Sequence, residues 1–391
     1  MSKVVGELAI LQLIRSRAAT SQIELAHALG LPANTVHGIV KRIEAKGLVF
    51  EQRQQRGKRG RPSVHYGVSI PGHVLVIKWM GTDWQGLVVG QETGAESQIA
   101  RLSSPTVPNI TAAAAHLTRL RDLAVKNSGL RLEELDGAIV MLNAMHALDG
   151  RLTSSVIPWV GEITEAFLSE TLKCPTMISE NLHAAEMELR RWTREDARSL
   201  AVFNVGDGVS AHYATLAGPW GQIESLPGQV GHIEREPGGD LCGCGNRGCL
   251  ETVLAGGWVQ HRVLKDISNG AQTVLGNSLS KSPREFFHDI NAAAIEGEDF
   301  YARRLIDGFI AHCAWGLSVA IHMFQPDIIV VEGYAFEDRW HWVERITRAL
   351  PPGSLQFRQQ ELRLERQRRR PMDEMREMAA EFFMSREGIP A

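Results

Sequence analysis

The chain has 391 residues, 44% of them hydrophobic, enough for two or three separate cores. It holds no run of about 18 apolar residues and no basic-then-apolar start, so neither a membrane span nor a secretory signal is expected. The net charge of −3 conceals a division, because residues 1–66 carry eleven Lys and Arg against four Asp and Glu. A basic head on an acidic body is the arrangement expected of a nucleic-acid-binding module attached to something of another kind.

Residues 4–16 read as a helix with Leu8, Leu11 and Ile14 on one apolar stripe. Ser21-Gln22-Ile23-Glu24 is a capping box that opens a second helix running to Leu29, and Gly30 ends it. Pro32 suits the first turn of a third helix, where its missing N–H costs nothing. That helix runs to about Lys46 with Val36, Ile39, Val40 and Ile43 inward, and Gly47 stops it. Two short helices joined by a tight turn and followed by Gly-Leu-Val resemble a winged helix-turn-helix, which sets the first domain at 1–70. The third helix leaves Asn34, Thr35, His37, Lys41 and Arg42 outward, side chains that can donate to phosphates and base edges in a major groove. Gly38 lies among them; close approach to DNA or helix–helix packing would account for it. Strand-like Leu48–Gln52 and Val64–Val68 flank a basic stretch, a hairpin wing. Its tip, Arg59-Gly60-Arg61-Pro62, resembles an A·T-hook core, in which Arg59 and Arg61 enter a narrow minor groove. A solvated linker is the alternative.

Pro71-Gly72 marks the boundary. Val74–Met80 and Gly86–Gly90 read as a hairpin, Gln98–Leu102 as a third strand, Ile110–Lys126 as a helix and Gly137–Leu142 as a buried strand. Thr176–Ser179 is a strand, Glu180 opens a helix to Trp192, and strand Ser199–Val205 leads into Gly206-Asp207-Gly208-Val209-Ser210-Ala211-His212. Then come Gly228-Gln229-Val230-Gly231-His232 and, nine residues on, Leu241-Cys242-Gly243-Cys244-Gly245-Asn246-Arg247-Gly248-Cys249-Leu250-Glu251. His232, Cys242, Cys244 and Cys249 make a complete Cys₃His set for tetrahedral zinc. Gly243, Gly245 and Gly248 let the backbone turn and aim the sulfurs inward; a redox pair or an unligated turn is the alternative. Only Cys174 and Cys313 then stand alone, which fits a reducing cytoplasm. Gly257–Asp266, Pro283–Glu296 and Tyr301–Met323 read as helices and Asp327–Val331 as a buried strand. Arginine-rich Glu361–Arg370 reads as an edge strand and Met372–Phe383 as a closing helix.

Gly-x-x-Gly-His followed by Cys-x-Cys-Gly-x-x-Gly-Cys-Leu-Glu resembles the signature of the ROK family (repressors, open reading frames, sugar kinases). The resemblance implies an α/β body of two actin-like, ribonuclease-H-like lobes, expected over 71–190 and 191–391, with a sugar site in the cleft and zinc beside it. It implies sugar contacts from Glu180, Gln229, His232 and Glu251. Gln229 replaces the Glu that the family usually carries in Gly-Glu-x-Gly-His. Glu180 matches the family's catalytic Asp at the start of a helix, with Asn181 and His183 the alternatives if the register slips. Pro158-Trp159 is similar to the sugar-facing loop.

The phosphate side departs further from the family. Kinases of the family read Asp-x-Gly-Gly-Thr where this chain has Lys78-Trp79-Met80-Gly81-Thr82. Their nucleotide loop reads Gly-Thr-Gly-x-Gly-x-Gly, whereas Asp207 sets a negative charge where phosphate would lie and His212 fills space. Glu332-Gly333 stands where they often have Gly-Gly. Together these oppose phosphoryl transfer, so no catalytic residue is expected. The expectation is a repressor of sugar-metabolism genes that binds operator DNA as a homodimer or tetramer and senses a sugar or sugar phosphate. A sugar kinase with an accessory DNA-binding domain, or a repressor governed by a protein partner, are the alternatives.

Overall fold

The structure is a computed structural model that describes residues 3–15, 19–54, 63–79, 83–90, 99–103, 107–146, 150–157, 159–180, 183–192, 197–217, 222–296, 298–337, 339–351, 363–366 and 371–386. The head consists of α1 (Lys3–Arg15), α2 (Gln22–Leu29), α3 (Ala33–Ala45) and an antiparallel hairpin, β1 (Val49–Gln54) with β2 (Ser63–Val68). The capping box forms: Ser21 accepts from the Glu24 N–H, while the Glu24 carboxylate accepts from the Ser21 N–H at 2.9 Å. Gly30 closes α2 in the left-handed region with φ 61°. Pro32 stands one residue earlier than expected, as the N-cap of α3. The Gln22 amide donates to the Ala33 carbonyl across the turn at 2.9 Å. Val36, Ile39, Val40 and Ile43 are buried with Leu11, Ile14 and Leu25, so the apolar stripes of all three helices meet in one core.

The first lobe holds β3 (Val74–Trp79), β4 (Asp83–Val89), β5 (Ala100–Ser103), α4 (Ile110–Ser128), β6 (Gly137–Leu142), the small pair β7 (Met145–His146) and β8 (Leu152–Thr153), α5 (Glu165–Leu172) and β9 (Thr176–Glu180). Its sheet runs β5-β4-β3-β6-β9, antiparallel across β5-β4-β3 and parallel across β3-β6-β9. The second lobe holds α6 (His183–Trp192), β10 (Ser199–Val205), β11 (Val209–Ala217), β12 (Gln222–Leu226), α7 (Glu251–Leu254), α8 (Gly256–Ser268), α9 (Pro283–Ile295), α10 (Phe300–Phe324), β13 (Ile328–Glu332), α11 (Trp340–Ala349) and β14 (Arg363–Arg366), followed by α12 (Pro371–Arg386). Its sheet, β12-β11-β10-β13-β14, repeats the order of the first, and the arginine-rich β14 takes the expected edge.

Two segments lie on the other side of the expected lobe boundaries. Helix α6 begins at His183, and its Ala185, Leu189 and Trp192 pack on Leu200, Val202 and Val330 of the second sheet, so the second lobe starts before 191. Helix α12 returns to the first sheet, where Met375, Met378 and Phe382 cover Val74, Val76 and Met141. Strands such as β6, buried along its whole length, need a helical layer on both faces. Leu117 and Leu120 of α4 and Leu168 of α5 pack against Leu75 and Val140 on one face, and α12 supplies the other. The last turn of α12 also enters the head: Met384 is buried in its core, and Glu381 accepts from Arg15 at 3.1 Å with both side chains nearly buried. Helix α10 is long and apolar enough to cross a membrane by length and composition alone. Its buried face, including Phe309, Cys313 and Leu317, is the centre of the second core.

Candidate functional site

The DNA-facing candidates lie on α3. Asn34, Thr35, His37, Lys41 and Arg42 are all exposed, opposite the stripe that packs on α1 and α2. Gly38 sits among them, and a Cβ built on it would meet no atom within 4 Å. Two of the expected cations are paired within the head. Lys41 lies 2.6 Å from Glu44 and 3.3 Å from Glu51, and Arg42 donates to Glu7 at 3.0 Å. The Lys41 pairs are solvent-exposed and of small net worth, so DNA phosphates can compete for Lys41; the Glu7 carboxylate is buried, and drawing Arg42 away from it costs more. Arg59 and Arg61 lie outside the described residues.

The cysteine stretch folds as a knuckle. The Gly248 carbonyl accepts from the N–H groups of Arg235 and Glu236 at 2.6 and 2.9 Å, and isolated bridges join Glu234 to Cys249 and Leu241 to Arg247. Gly248 has φ +67°, and a Cβ there would fall 1.7 Å from the Glu236 carbonyl oxygen, so no other residue fits. Gly243 has a different task from turning the chain. It brings the knuckle against the first lobe, where a Cβ would sit 2.3 Å from the Ser155 carbonyl oxygen. The knuckle is thus pinned at the contact between lobes.

One ligand atom from each of His232, Cys242, Cys244 and Cys249 lies within 4.8 Å of the other three, so the cluster could hold a metal ion. The His232 Nδ1 to Cys242 Sγ distance is 3.6 Å and the Cys244 to Cys249 Sγ distance is 3.7 Å. A tetrahedron with bonds of about 2.3 Å has edges of about 3.8 Å, which these two distances match. At 3.7 Å the Cys244 and Cys249 sulfurs are not joined as a disulfide, which needs about 2.05 Å. Burial pushes the Cys242 and Cys249 thiols up, which a bound cation would oppose.

Three of the four expected sugar residues gather here. Gln229 is exposed, and His232 is half-buried at the end of the short turn Val230–His232. Glu251 opens α7 and is 3% exposed; one of its oxygens accepts from the Val209 N–H at 3.2 Å and the other lies 3.7 Å from the Cys242 sulfur. The carboxylate therefore binds the knuckle to the turn between β10 and β11. Glu180 does not open a helix: it is the last residue of β9, the next helix begins at His183, and Asn181 lies outside the described residues. Of the loop similar to the family's sugar-facing one, Pro158 lies outside the described residues and Trp159 lies within them. The Trp159 indole is buried in the first core and donates to the Val107 carbonyl.

The Gly206–Gly208 turn is satisfied from within. The Gly206 N–H donates to the Gly208 carbonyl at 3.0 Å and the Val209 N–H to Glu251, so two donors that could cradle phosphate are engaged. The buried Tyr334 hydroxyl donates to Asp207 at 2.9 Å, and the Asn204 amide donates to Glu332 at 3.0 Å. Burial, with Asp207 beside it, pushes the Tyr334 phenol well up, so it stays a donor. His212 lies within β11, opposite Val202, rather than in the loop.

Other residues tie the knuckle to the second core. Glu236 pairs with Arg262 of α8 at 2.8 Å, and Arg235 donates to His312 of α10 at 3.2 Å. None of them belongs to a motif, and nothing in their spacing announces the contact.

A winged helix-turn-helix head in front of two lobes of like sheet order, with a Cys₃His knuckle between them, defines a sugar-kinase-like body carrying a DNA-reading module. Residues 159–358 match the ROK family and residues 7–49 match a winged helix-turn-helix DNA-binding domain. The chain belongs to the ROK family. It is 33% identical over 130 residues to the DNA-binding transcriptional dual regulator NagC of Escherichia coli K12, a match that spans 33% of this chain and 29% of that regulator. It is 25% identical over 341 residues, 83% of this chain and 79% of the relative, to the DNA-binding transcriptional repressor Mlc of the same organism. Kinases are related too: a glucokinase of Thermotoga maritima is 30% identical over 129 residues, 33% of this chain and 39% of the enzyme. Among solved structures, a ROK family transcriptional regulator described as a homologue of E. coli Mlc superposes with a TM-score of 0.68 at 19% identity, over 99% of this chain and 97% of that one. That likeness establishes the fold from head to closing helix.

Proposed function

We propose that the protein is a DNA-binding transcriptional regulator, a repressor of sugar-metabolism genes, whose kinase-like body senses a sugar or sugar phosphate and does not phosphorylate it. The observation that carries this reading is the Gly206–Gly208 turn, closed by Asp207, Tyr334 and Glu251 on a body whose head still presents an open polar helix face. A carboxylate repels a nucleotide phosphate, and Lys78 cannot hold magnesium where the family's kinases have Asp. In this reading His232, Cys242, Cys244 and Cys249 hold zinc, which braces the knuckle as a closed structural ion. Glu180, Gln229, His232 and Glu251 surround the sugar, their amide and carboxylates accepting from its hydroxyls. Asn34, Thr35, His37, Lys41 and Arg42 face the major groove while Arg59 and Arg61 enter the minor groove. The protein works in the cytoplasm as a homodimer or tetramer, its two heads meeting half-sites about 10 bp or a multiple apart. The test is a pair of assays on one preparation, duplex binding and sugar phosphorylation with ATP and magnesium. Binding without turnover is the expected result. Sustained turnover abolished by Glu180→Ala would instead make it a kinase with an accessory DNA-binding domain.

A further inference from the structure

We infer that a cavity in the second lobe is a binding site for a small aromatic carboxylate, separate from the sugar and metal positions. It lies among α8, α9, α10 and α11, has a volume of about 180 Å³ open to solvent on one side, and is lined by none of the residues expected to hold metal or sugar. The volume slightly exceeds the ~150 Å³ of an engineered cavity that holds benzene, so one six-membered ring with a small head fits and a nucleotide does not. Its floor is aromatic. Phe287 and Phe309 meet edge-on with ring centres 5.3 Å apart, and Phe309 and Trp342 tilt together at 5.5 Å. Such rings favour another ring, edge-to-face or offset, whereas a hexose laid on them would leave hydroxyls unpaired.

The polar side of the cavity selects charge. Arg262 is engaged by Glu236, and Asp266 accepts from the Tyr301 hydroxyl at 2.7 Å. His312 brings no charge, since burial and the neighbouring Arg235 push it down to about 4. Arg304 makes no hydrogen bond or ion pair among the described residues and is the cation left for a carboxylate. A second observation is Gly308. It lies in the middle of α10, where glycine weakens a helix, yet a Cβ built on it would meet no atom within 4 Å. Among the described residues no packing contact calls for glycine there, and Gly308 lines the cavity, so the missing side chain leaves the cavity its volume. Occupancy would be felt at the knuckle, because Arg262 and His312 hold Glu236 and Arg235. Binding itself is independent of whether the knuckle pocket takes a sugar.

The test titrates benzoate, with benzamide as the uncharged counterpart, into the full chain, followed by saturation-transfer NMR and thermal unfolding. Benzoate is expected to bind saturably and raise Tm, and benzamide to bind about 10-fold more weakly, the size of one charge-assisted hydrogen bond. Arg304→Gln should bring benzoate down to the benzamide level. Gly308→Leu, which occupies the void, should abolish both signals. Gly308→Ala, which favours the helix and takes up one methyl of room, should keep the fold and weaken benzoate, so a misfolded leucine variant does not decide the matter. Absence of saturable benzoate binding to the unmodified chain, or unchanged binding to the Gly308 variants, would overturn the proposal.

Discussion

Cys244 is the exposed member of a cluster whose other thiols are buried, so it can be changed with little effect on packing. Cys244→Ser should lower zinc content measured on the purified chain and weaken repression; metal content equal to that of the parent protein would reject the ligand assignment. Glu7 offers a pH test of the head. Burial works to raise its pKa, but hydrogen bonds from Arg42 and Lys46 outweigh that and hold the carboxyl below its ordinary 4.5. A depressed acid adds stability that is complete above the unfolded value and lost as pH falls through the lower folded value. Hydrogen exchange of the α3 amides should therefore accelerate as pH drops past 4.5, after correction for intrinsic rates, and Glu7→Gln should flatten that dependence. The metal set was legible because its four ligands crowd into a short stretch, where spacing alone constrains geometry. Glu251 was legible as a motif member but not as the clamp on Val209, since its target lies 42 residues away. The contact of Glu7 with Arg42 was hidden for the same reason, because i to i+35 pairings leave no local periodicity.

At the scale of elements, α3 and α12 carry the account. Among the described residues a Cβ at Gly38 would meet no atom within 4 Å, so helix–helix packing does not account for it and close approach to DNA is the reading to test. Gly38→Ala should stabilise α3 by ~1 kcal/mol yet weaken duplex binding, whereas a purely structural glycine would leave binding unchanged or improved. Thermal unfolding and anisotropy on the same variant separate these outcomes. Helix α12 joins the candidate sugar side to the head. Its Met378 and Ser385 meet Ser179 and Met177 of β9, the strand that ends at Glu180, and its Glu381 holds Arg15 of α1. Removing one partner of such a nearly buried pair costs about 3–5 kcal/mol. Glu381→Ala should therefore loosen the head, seen as faster proteolysis before residue 71, and blunt the effect of sugar on DNA binding while leaving zinc content intact. Most strands and helices were legible from their periodicity. The placement of α6 and α12 was not, because an amphipathic stripe shows that a face is buried and not which sheet buries it.

For the whole molecule, charge and architecture agree: the basic head matches a winged helix-turn-helix DNA-binding domain, and the acidic two-lobed body has its Gly206–Gly208 turn closed from inside. The like order of the two sheets gave no trace in the sequence, since the lobes share topology without a repeated motif. The central claim is that one chain couples sugar binding in the cleft to DNA binding by the head. The most direct measurement selects a duplex from random sequences with the full chain, then titrates that duplex at fixed salt with and without candidate sugars and sugar phosphates. The account predicts one enriched site whose affinity a single sugar shifts by about 5- to 150-fold, the range of a 1–3 kcal/mol coupling, and that the shift disappears in Gln229→Ala or Glu251→Gln. Enrichment of no sequence, or a selected site whose affinity no sugar changes, would contradict it.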